Sequence, residues 1–326
     1  MKQNVPVSLP GYEVALDRAA FFILPSAGFL RVAGPDRMAF LQRQTTNDLN
    51  NLSPGRTLET VLTSPTARIL DVFLLLAEPE AIGVITLPGY APRTTQYLRS
   101  RIFFMDNVTV EDASAGFSQV DLIGPRGAEL LVHLGVEPIP KLGEVVAASL
   151  AGVSLCVLGM PALGYRLLLP SDGWERLTSA LKDAGVPGLD QESYHTLRVE
   201  AGQPAVGSEL SEEYSPLETG LSSAISGNKG CYTGQEVIAR QITYDKVTRQ
   251  LAGLRLEALV EPGDSLRMAD EDRTVGEITS VAWSPRFGPI ALAIIRRPYH
   301  LPGTRLRLGG QARDRQAIVI ALPFQS

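Results

Sequence analysis

The last third of the chain is a series of short β-rich runs, and this pattern restricts the fold more than any other feature of the sequence. The runs lie near residues 251–256, 274–281, 290–296, 304–308 and 317–322. Turns rich in proline and glycine separate them, for example Glu261-Pro262-Gly263-Asp264. Short strands at regular spacing, with no helices between them, are typical of a small β-barrel or sandwich. The sequence therefore predicts a separate β domain over residues 247–326.

Strands and helices are mixed in the part of the chain before residue 247. Residues 69–76 and 81–87 are nearly continuous apolar runs that predict buried strands, and residues 90–103 carry a helical pattern. A further helix is expected after Asp172, which has capping-box spacing with Glu175. Because the elements do not alternate strictly as β-α-β, the pattern favours an α+β fold over a doubly wound sheet.

Composition excludes several classes of function. The 326 residues allow two or three domains, and a net charge of −5 argues against a protein that coats nucleic-acid phosphates. No apolar run is long enough to span a bilayer, and the stretch Met1–Pro10 lacks a signal-peptide pattern, so a cytoplasmic location is expected. The two cysteines and three histidines show no metal-ligand spacing, so we predict no metal site. The chain alone cannot supply the four thiolates usual for an iron–sulfur cluster.

One of the two cysteines, Cys231, lies in the octet Lys229-Gly230-Cys231-Tyr232-Thr233-Gly234-Gln235-Glu236. Thr233 and Glu236 have capping-box spacing, and the apolar pattern after them predicts a helix. A thiol just before a helix N-terminus and near a lysine is favoured in its ionised form. We interpret Cys231 as a functional thiol. The alternative is a cysteine that happens to precede a capped helix.

The octet, together with the following Val237-Ile238-Ala239-Arg240, resembles the signature of the YgfZ family of folate-binding proteins, which assist iron–sulfur cluster assembly. That family is related to the T-protein of the glycine cleavage system, a folate-dependent aminomethyltransferase. The segment Leu41–Asp48 is similar to the N-terminal motif of the family, with Arg43 where glycine is usual. Similar stretches follow at residues 198–202, 215–218, 275–280 and 290–293. The resemblance covers nearly the whole chain.

This resemblance implies a three-lobed, T-protein-like cloverleaf around a central folate pocket. Two interleaved α+β lobes would make up residues 1–246, roughly 1–50 with 112–205 and 51–111 with 206–246. The C-terminal β-barrel would take residues 247–326. Tetrahydrofolate, or a one-carbon derivative of it, is the cofactor that the resemblance implies.

Several residues are implied to form the folate site. Glu218 stands where the T-protein has a glutamate that contacts the pterin, and a carboxylate suits the adjacent N–H donors of that ring. Asp71 aligns with one position of a paired-aspartate motif that provides the catalytic acid, whereas Val72 takes the other position. The remaining candidates are polar or aromatic: Tyr232 for stacking on a ring, Lys229 and Arg240 for the anionic tail, and Asn47 and Asp48 for polar contacts. The alternative for Tyr232, Lys229 and Arg240 is an ordinary solvated surface. Asn47 and Asp48 are equally well explained as residues that shape a turn or cap a helix.

Three functions remain open. The leading one is a folate-binding accessory protein for iron–sulfur cluster assembly or repair, whose partners are the assembly machinery or client iron–sulfur enzymes. Such a protein would support tRNA-modifying iron–sulfur enzymes indirectly, without binding nucleic acid or membranes. The alternative is a folate-dependent aminomethyltransferase or demethylase of the T-protein type, with Asp71 as the only candidate acid. The third is a scaffold that has lost folate and serves as a docking surface.

Overall fold

The computed structural model describes residues 8–161, 164–268, 273–309 and 315–325, so most of the stretch Met1–Pro10 lies outside the described part. The chain forms two compact units. The first, called here the sheet unit, comprises Pro10–Asp190 and Ser223–Gln235. The second, called the barrel unit, comprises the described residues 8–9 together with Gln191–Ser222 and Glu236–Ser326. Within the described ranges, every helix is too short or too polar to cross a membrane.

Among its described residues, the sheet unit has two antiparallel sheets and five α-helices. The helices are α1 (Tyr12–Asp17), α2 (Arg37–Gln44), α3 (Ala91–Ser100), α4 (Gly127–His133) and α5 (Trp174–Asp183). The strands are β1 (Ala20–Ile23), β2 (Gly28–Ala33), β3 (Thr57–Thr63), β4 (Ile69–Ala77), β5 (Ala81–Thr86), β6 (Thr109–Asp112), β7 (Phe117–Ile123), β8 (Val145–Leu150), β9 (Val153–Met160) and β10 (Gly164–Pro170). One sheet has the order β1-β7-β10-β9-β8, and the other has the order β3-β4-β5-β2-β6.

Apolar side chains from helices and strands form the cores of this unit. The first sheet packs with α4 and α5 through Leu131 and Leu181. The second packs with α3 through Leu98, which is also buried. The two sheets contact each other through Phe29 of β2 and Phe117 of β7, whose ring centroids lie 4.5 Å apart. Each sheet therefore buries apolar side chains on both faces, which explains the nearly continuous apolar runs in β4 and β5.

The observed elements confirm the predicted strands at β4 and β5 and the predicted helix at α3. The capping box predicted for Asp172 and Glu175 is wrong. Helix α5 begins at Trp174, so the N-cap position belongs to Gly173, and no side chain caps this end. The helix starts one residue later than the capping-box spacing requires, which leaves Asp172 outside the cap position.

The barrel unit contains two helices and six strands within the described residues. The helices are α6 (Gln191–Glu200) and α7 (Gln235–Thr243), of which all but the first residue of α7 belong to this unit. The strands are β11 (Arg249–Leu256), β12 (Ser265–Met268), β13 (Thr274–Ser284), β14 (Gly288–Arg296), β15 (Arg305–Leu308) and β16 (Gln316–Ile320). They close into a barrel with the order β11-β14-β13-β12-β15-β16.

The predicted α+β class with a C-terminal barrel is confirmed. Five strands coincide with the predicted runs, and β12 is an additional strand of four residues. The lobe boundaries implied by the resemblance stay a prediction. Strand β2 belongs to the second sheet of the sheet unit, where it lies between β5 and β6.

A buried ion pair joins α6 to the barrel. Arg198 Nη1 lies 3.2 Å from Glu209 Oε2, and these side chains are 6% and 0% exposed. Glu209 Oε1 accepts hydrogen bonds from the hydroxyls of Thr279 and Ser280 on β13. The hydroxyl of Ser280 in turn accepts from Arg198 Nη2 at 2.7 Å. Because both charges are paired and hydrogen-bonded, they can remain buried without a large penalty.

We expect Glu209→Ala to lower the free energy of unfolding by about 3–5 kcal/mol, because it leaves the Arg198 cation buried without its partner. Urea unfolding measures this change. Glu192→Ala, which removes an exposed carboxylate from the first turn of α6, is the matched control and should cost less than about 1 kcal/mol. Equal effects of the two substitutions would contradict the assignment of the ion pair.

Candidate functional site

The octet and the N-terminal motif lie against each other in the sheet unit. The backbone N–H of Thr233 in the octet donates to the carbonyl of Arg43 in the N-terminal motif at 3.4 Å. Thr46 Oγ1 of that motif donates to the carbonyl of Ala224, upstream of the octet, at 2.6 Å. Thr63 Oγ1 on β3 donates to the carbonyl of Thr233, also at 2.6 Å. Gly234 has a φ of +84°, and an added Cβ would lie 2.7 Å from the carbonyl oxygen of Ser64. A glycine is needed here for both reasons. The structure thus brings together two motifs that are far apart in the sequence.

The side chain of Lys229 makes the strongest link between these motifs. Its Nζ donates to the carbonyl oxygens of Thr45 and Asn47, each at 2.6 Å, and lies 5.1 Å from the centroid of the Tyr232 ring. Burial lowers the pKa of Lys229 to about 8, against the opposing effect of the charge of Asp48. The ammonium group is therefore committed to main-chain acceptors. Its predicted role toward an anionic folate tail stays a prediction.

Asn47 and Asp48 shape the turn that follows α2. Asn47 Nδ2 donates to the carbonyl of Glu59 at 2.7 Å, and Asn47 Oδ1 accepts from the backbone N–H of Asp48 at 2.9 Å. Asp48 Oδ1 accepts from Gln42 Nε2 at 2.8 Å and from the backbone N–H of Asn50 at 3.1 Å. These bonds correspond to the turn and cap roles left open by the sequence. A contact of either residue with folate remains a prediction.

Asp71 lies in the interior of β4 and is 0% exposed. Its Oδ1 accepts from the backbone N–H groups of Val72 and Leu87 at 2.8 and 2.9 Å, and its Oδ2 accepts from the hydroxyl of Thr94. Burial raises the pKa of Asp71 to about 7, although these hydrogen bonds and the charge of Arg93 act in the opposite direction. The carboxyl group thus joins β4 to α3 and to the residue that follows β5. Its role as the catalytic acid stays a prediction.

Cys231 is exposed and precedes the first residue of α7 by four positions. The predicted helix is confirmed, but it begins at Gln235, inside the octet. Gly234 therefore takes the N-cap position, and the capping box predicted for Thr233 and Glu236 is wrong by one residue. Cys156 differs in its surroundings because it is half-buried on β9, where burial raises the pKa of its thiol. Arg240 is an exposed residue of α7 in the barrel unit. The described residues contain no group of three histidine, cysteine, aspartate or glutamate side chains that could hold a metal ion.

Glu218 belongs to the barrel unit and is 4% exposed. Arg249 at the start of β11 holds its carboxylate in a forked arrangement, with Nε 2.8 Å from Oε1 and Nη2 3.2 Å from Oε2. Oε2 also accepts from the backbone N–H of Ser215 at 2.9 Å. This planar pairing fixes the orientation of the carboxylate. Sequence reasoning missed Arg249, since no spacing rule links positions 218 and 249.

The chain matches the GCVT N-terminal domain over residues 17–229 and the glycine cleavage T-protein C-terminal barrel domain over residues 249–325. The chain belongs to the glycine cleavage T-protein family. Proteins of this family use tetrahydrofolate as a substrate or cofactor, in agreement with the cofactor expected from the sequence.

Two relatives and one solved structure illustrate the similarity. A putative chloroplastic transferase of Arabidopsis thaliana is 31% identical over 304 residues, covering 91% of this chain and 69% of that protein. The aminomethyltransferase of Chlorobium luteolum is 27% identical over 319 residues, covering 94% of this chain and 87% of that protein. The crystal structure of the glycine cleavage system aminomethyltransferase T from Bartonella henselae has a TM-score of 0.85 at 20% identity, covering 97% and 88% of the two chains. This likeness confirms the T-protein-like fold.

The burial of Asp71 predicts a pH-dependent cost to stability. Between pH 4 and pH 7 the folded state retains a proton that the unfolded chain releases, so stability falls as the pH rises through this range. Asp71→Asn keeps an acceptor at Oδ1 and carries no charge. Relative to this variant, wild type should lose up to about 4 kcal/mol of unfolding free energy between pH 4 and pH 8. Denaturant unfolding of both proteins at several pH values measures the difference, and parallel pH profiles would contradict a raised pKa.

Proposed function

We propose that this chain binds tetrahydrofolate and transfers a one-carbon unit to it, as a folate-dependent transferase of the aminomethyltransferase type. The match to both T-protein domains over nearly the whole chain carries the proposal. Relatives named as aminomethyltransferases cover more than nine-tenths of this chain, which supports the same reaction class. Tetrahydrofolate, when bound, supplies the nitrogen that accepts the one-carbon unit.

The Glu218 carboxylate fits the chemistry of a pterin ring. Adjacent N–H donors of the ring require two acceptor oxygens in one plane, and the forked bonds from Arg249 hold both Glu218 oxygens in a fixed plane. Burial of the carboxylate strengthens such bonds because water competes less well for them. Lys229, Tyr232, Arg240, Asn47 and Asp48 remain proposed contacts of the ligand, and Asp71 remains the proposed acid.

Glu218→Gln is expected to weaken tetrahydrofolate binding by about 10- to 100-fold, because an amide replaces a charged acceptor of two N–H groups. Isothermal titration calorimetry measures the affinity. Glu212→Ala, which removes an exposed carboxylate from the same loop, is the control and should leave the affinity unchanged.

Turnover distinguishes a transferase from a protein that only binds folate. Purified protein with tetrahydrofolate should consume an aminomethyl-lipoyl or N-methyl substrate, and Glu218→Gln should slow this reaction. Binding without turnover of either substrate class would remove the transferase proposal and leave the accessory role.

The exposed thiol of Cys231 favours a second candidate function. In this reading the chain belongs to the YgfZ branch of the family and acts in the cytoplasm as a folate-binding accessory protein for iron–sulfur cluster assembly or repair. Its partners would be the assembly machinery or client iron–sulfur enzymes, including enzymes that modify tRNA. The octet around Cys231 supports this candidate, and an accessible thiol before a helix N-terminus is suited to sharing a metal or cluster with a partner.

Cys231→Ala is expected to leave folding and folate affinity unchanged, since the side chain is exposed. In cells that lack their own copy of the protein, the accessory role predicts that this variant fails to restore the activity of iron–sulfur enzymes. Cys156→Ala is the matched control, because it removes the other thiol, which is half-buried in a strand. Full restoration by both variants would mean that Cys231 has no role in iron–sulfur chemistry.

A further inference from the structure

The segment Ser215-Pro216-Leu217-Glu218 has the spacing of a capping box, but only half of the box forms. The carboxylate of Glu218 accepts from the backbone N–H of Ser215 at 2.9 Å, as a capping box requires. The backbone N–H of Glu218 would normally donate to the hydroxyl of Ser215. It donates instead to the main-chain carbonyl of Ser215, at 3.0 Å. The hydroxyl therefore loses the partner that this motif ordinarily supplies.

The Ser215 hydroxyl has no other hydrogen-bond partner among the residues that the structure describes, although Ser215 is only 2% exposed. Buried hydroxyls are nearly always hydrogen-bonded, because losing water without gaining a partner is unfavourable. Thr219, in the same turn, shows the usual arrangement: it is 1% exposed, and its Oγ1 donates to the carbonyl of Pro216 at 3.2 Å. Two buried hydroxyls four residues apart therefore differ in a way that calls for a physical explanation.

The surroundings of Ser215 are those of a rigid polar site. Arg249 holds the Glu218 carboxylate by two bonds, and its Nη2 also donates to the carbonyl of Glu213 at 3.2 Å. The guanidinium lies 5.2 Å from the centroid of the Tyr214 ring. Tyr214 is itself buried, and this burial raises the pKa of its phenol to about 12. A fixed carboxylate and an unused hydroxyl thus share one tightly held turn.

We propose that the Ser215 hydroxyl is a second ligand-binding group beside Glu218, which hydrogen-bonds the heterocyclic edge whose N–H donors the carboxylate accepts. The ligand class is a fused heterocycle that carries adjacent N–H donors and a carbonyl acceptor, as a pterin does. This assignment rests on the proposed function, since tetrahydrofolate is the ligand named there. A hydroxyl both donates and accepts, so it complements a carboxylate that only accepts. Arg249 contributes as a positioning residue that acts through Glu218.

The proposal predicts opposite effects of one substitution on stability and on binding. Without ligand, Ser215→Ala removes a buried group that has no partner, so the thermal midpoint should stay unchanged or rise by up to about 2 °C. With ligand, the same substitution removes a hydrogen bond, so the Kd for tetrahydrofolate should increase about tenfold. Thr219→Val is the matched control. It removes a satisfied hydroxyl, so it should lower the midpoint and leave the Kd unchanged.

Calorimetric titration with tetrahydrofolate and thermal unfolding of the ligand-free protein, on wild type and both variants, test the proposal. It is supported if Ser215→Ala weakens binding without loss of stability. It is overturned if wild type and Ser215→Ala bind with the same Kd, or if Ser215→Ala lowers the midpoint as Thr219→Val does. A wild-type protein that does not bind tetrahydrofolate would refute the proposed function itself, and that result is distinct because it requires no variant.

Discussion

The sheet unit is built from two separate segments of the chain, and the buried ammonium group of Lys229 bonds the second segment to the first. Lys229 in the returning segment donates from Nζ to the carbonyl oxygens of Thr45 and Asn47. Thr46, between these acceptors, donates to Ala224 of the same returning segment. About half of the chain separates the partners, so only tertiary structure can bring them together. The placement of Cys231, two residues after Lys229, depends on these bonds even though its own side chain faces solvent.

The sequence predicted those parts of the fold whose determinants are local. Apolar runs identified β4 and β5, and the proline and glycine turns identified five strands of the barrel. Strand β12 was not predicted because only Leu266 of its four residues is buried, whereas the equally short β15 keeps a regular alternation of buried and exposed residues. The N-cap predicted for α5 was one residue too early, which is the usual size of error when caps are inferred from spacing alone. Contacts between residues far apart in the sequence leave no local pattern, and the ion pair of Arg249 with Glu218 is one such contact.

The two carboxylates singled out from the sequence have different environments. Asp71 is enclosed by Thr94 and by the backbone N–H groups of Val72 and Leu87, and no cation from the described part of the chain is among its hydrogen-bond partners. Glu218 instead has a guanidinium held in a fork. The first arrangement favours a carboxyl that can keep its proton near neutral pH, whereas the second holds the Glu218 carboxylate in one orientation. The motif match gave both residues as candidates, but only the structure could show how their environments differ.

Closure of the barrel links the end of the chain to the candidate ligand site. Strand β16, the last of the six, pairs with residues Gly253–Leu256 of β11, and β11 begins with Arg249. Arg249 is in turn the cation that orients Glu218. Proteolytic trimming of the final strand would therefore open the ring next to β11 and loosen a contact made by a residue some seventy positions earlier. The C-terminal strand therefore supports the turn proposed to bind the ligand, in addition to closing its own barrel.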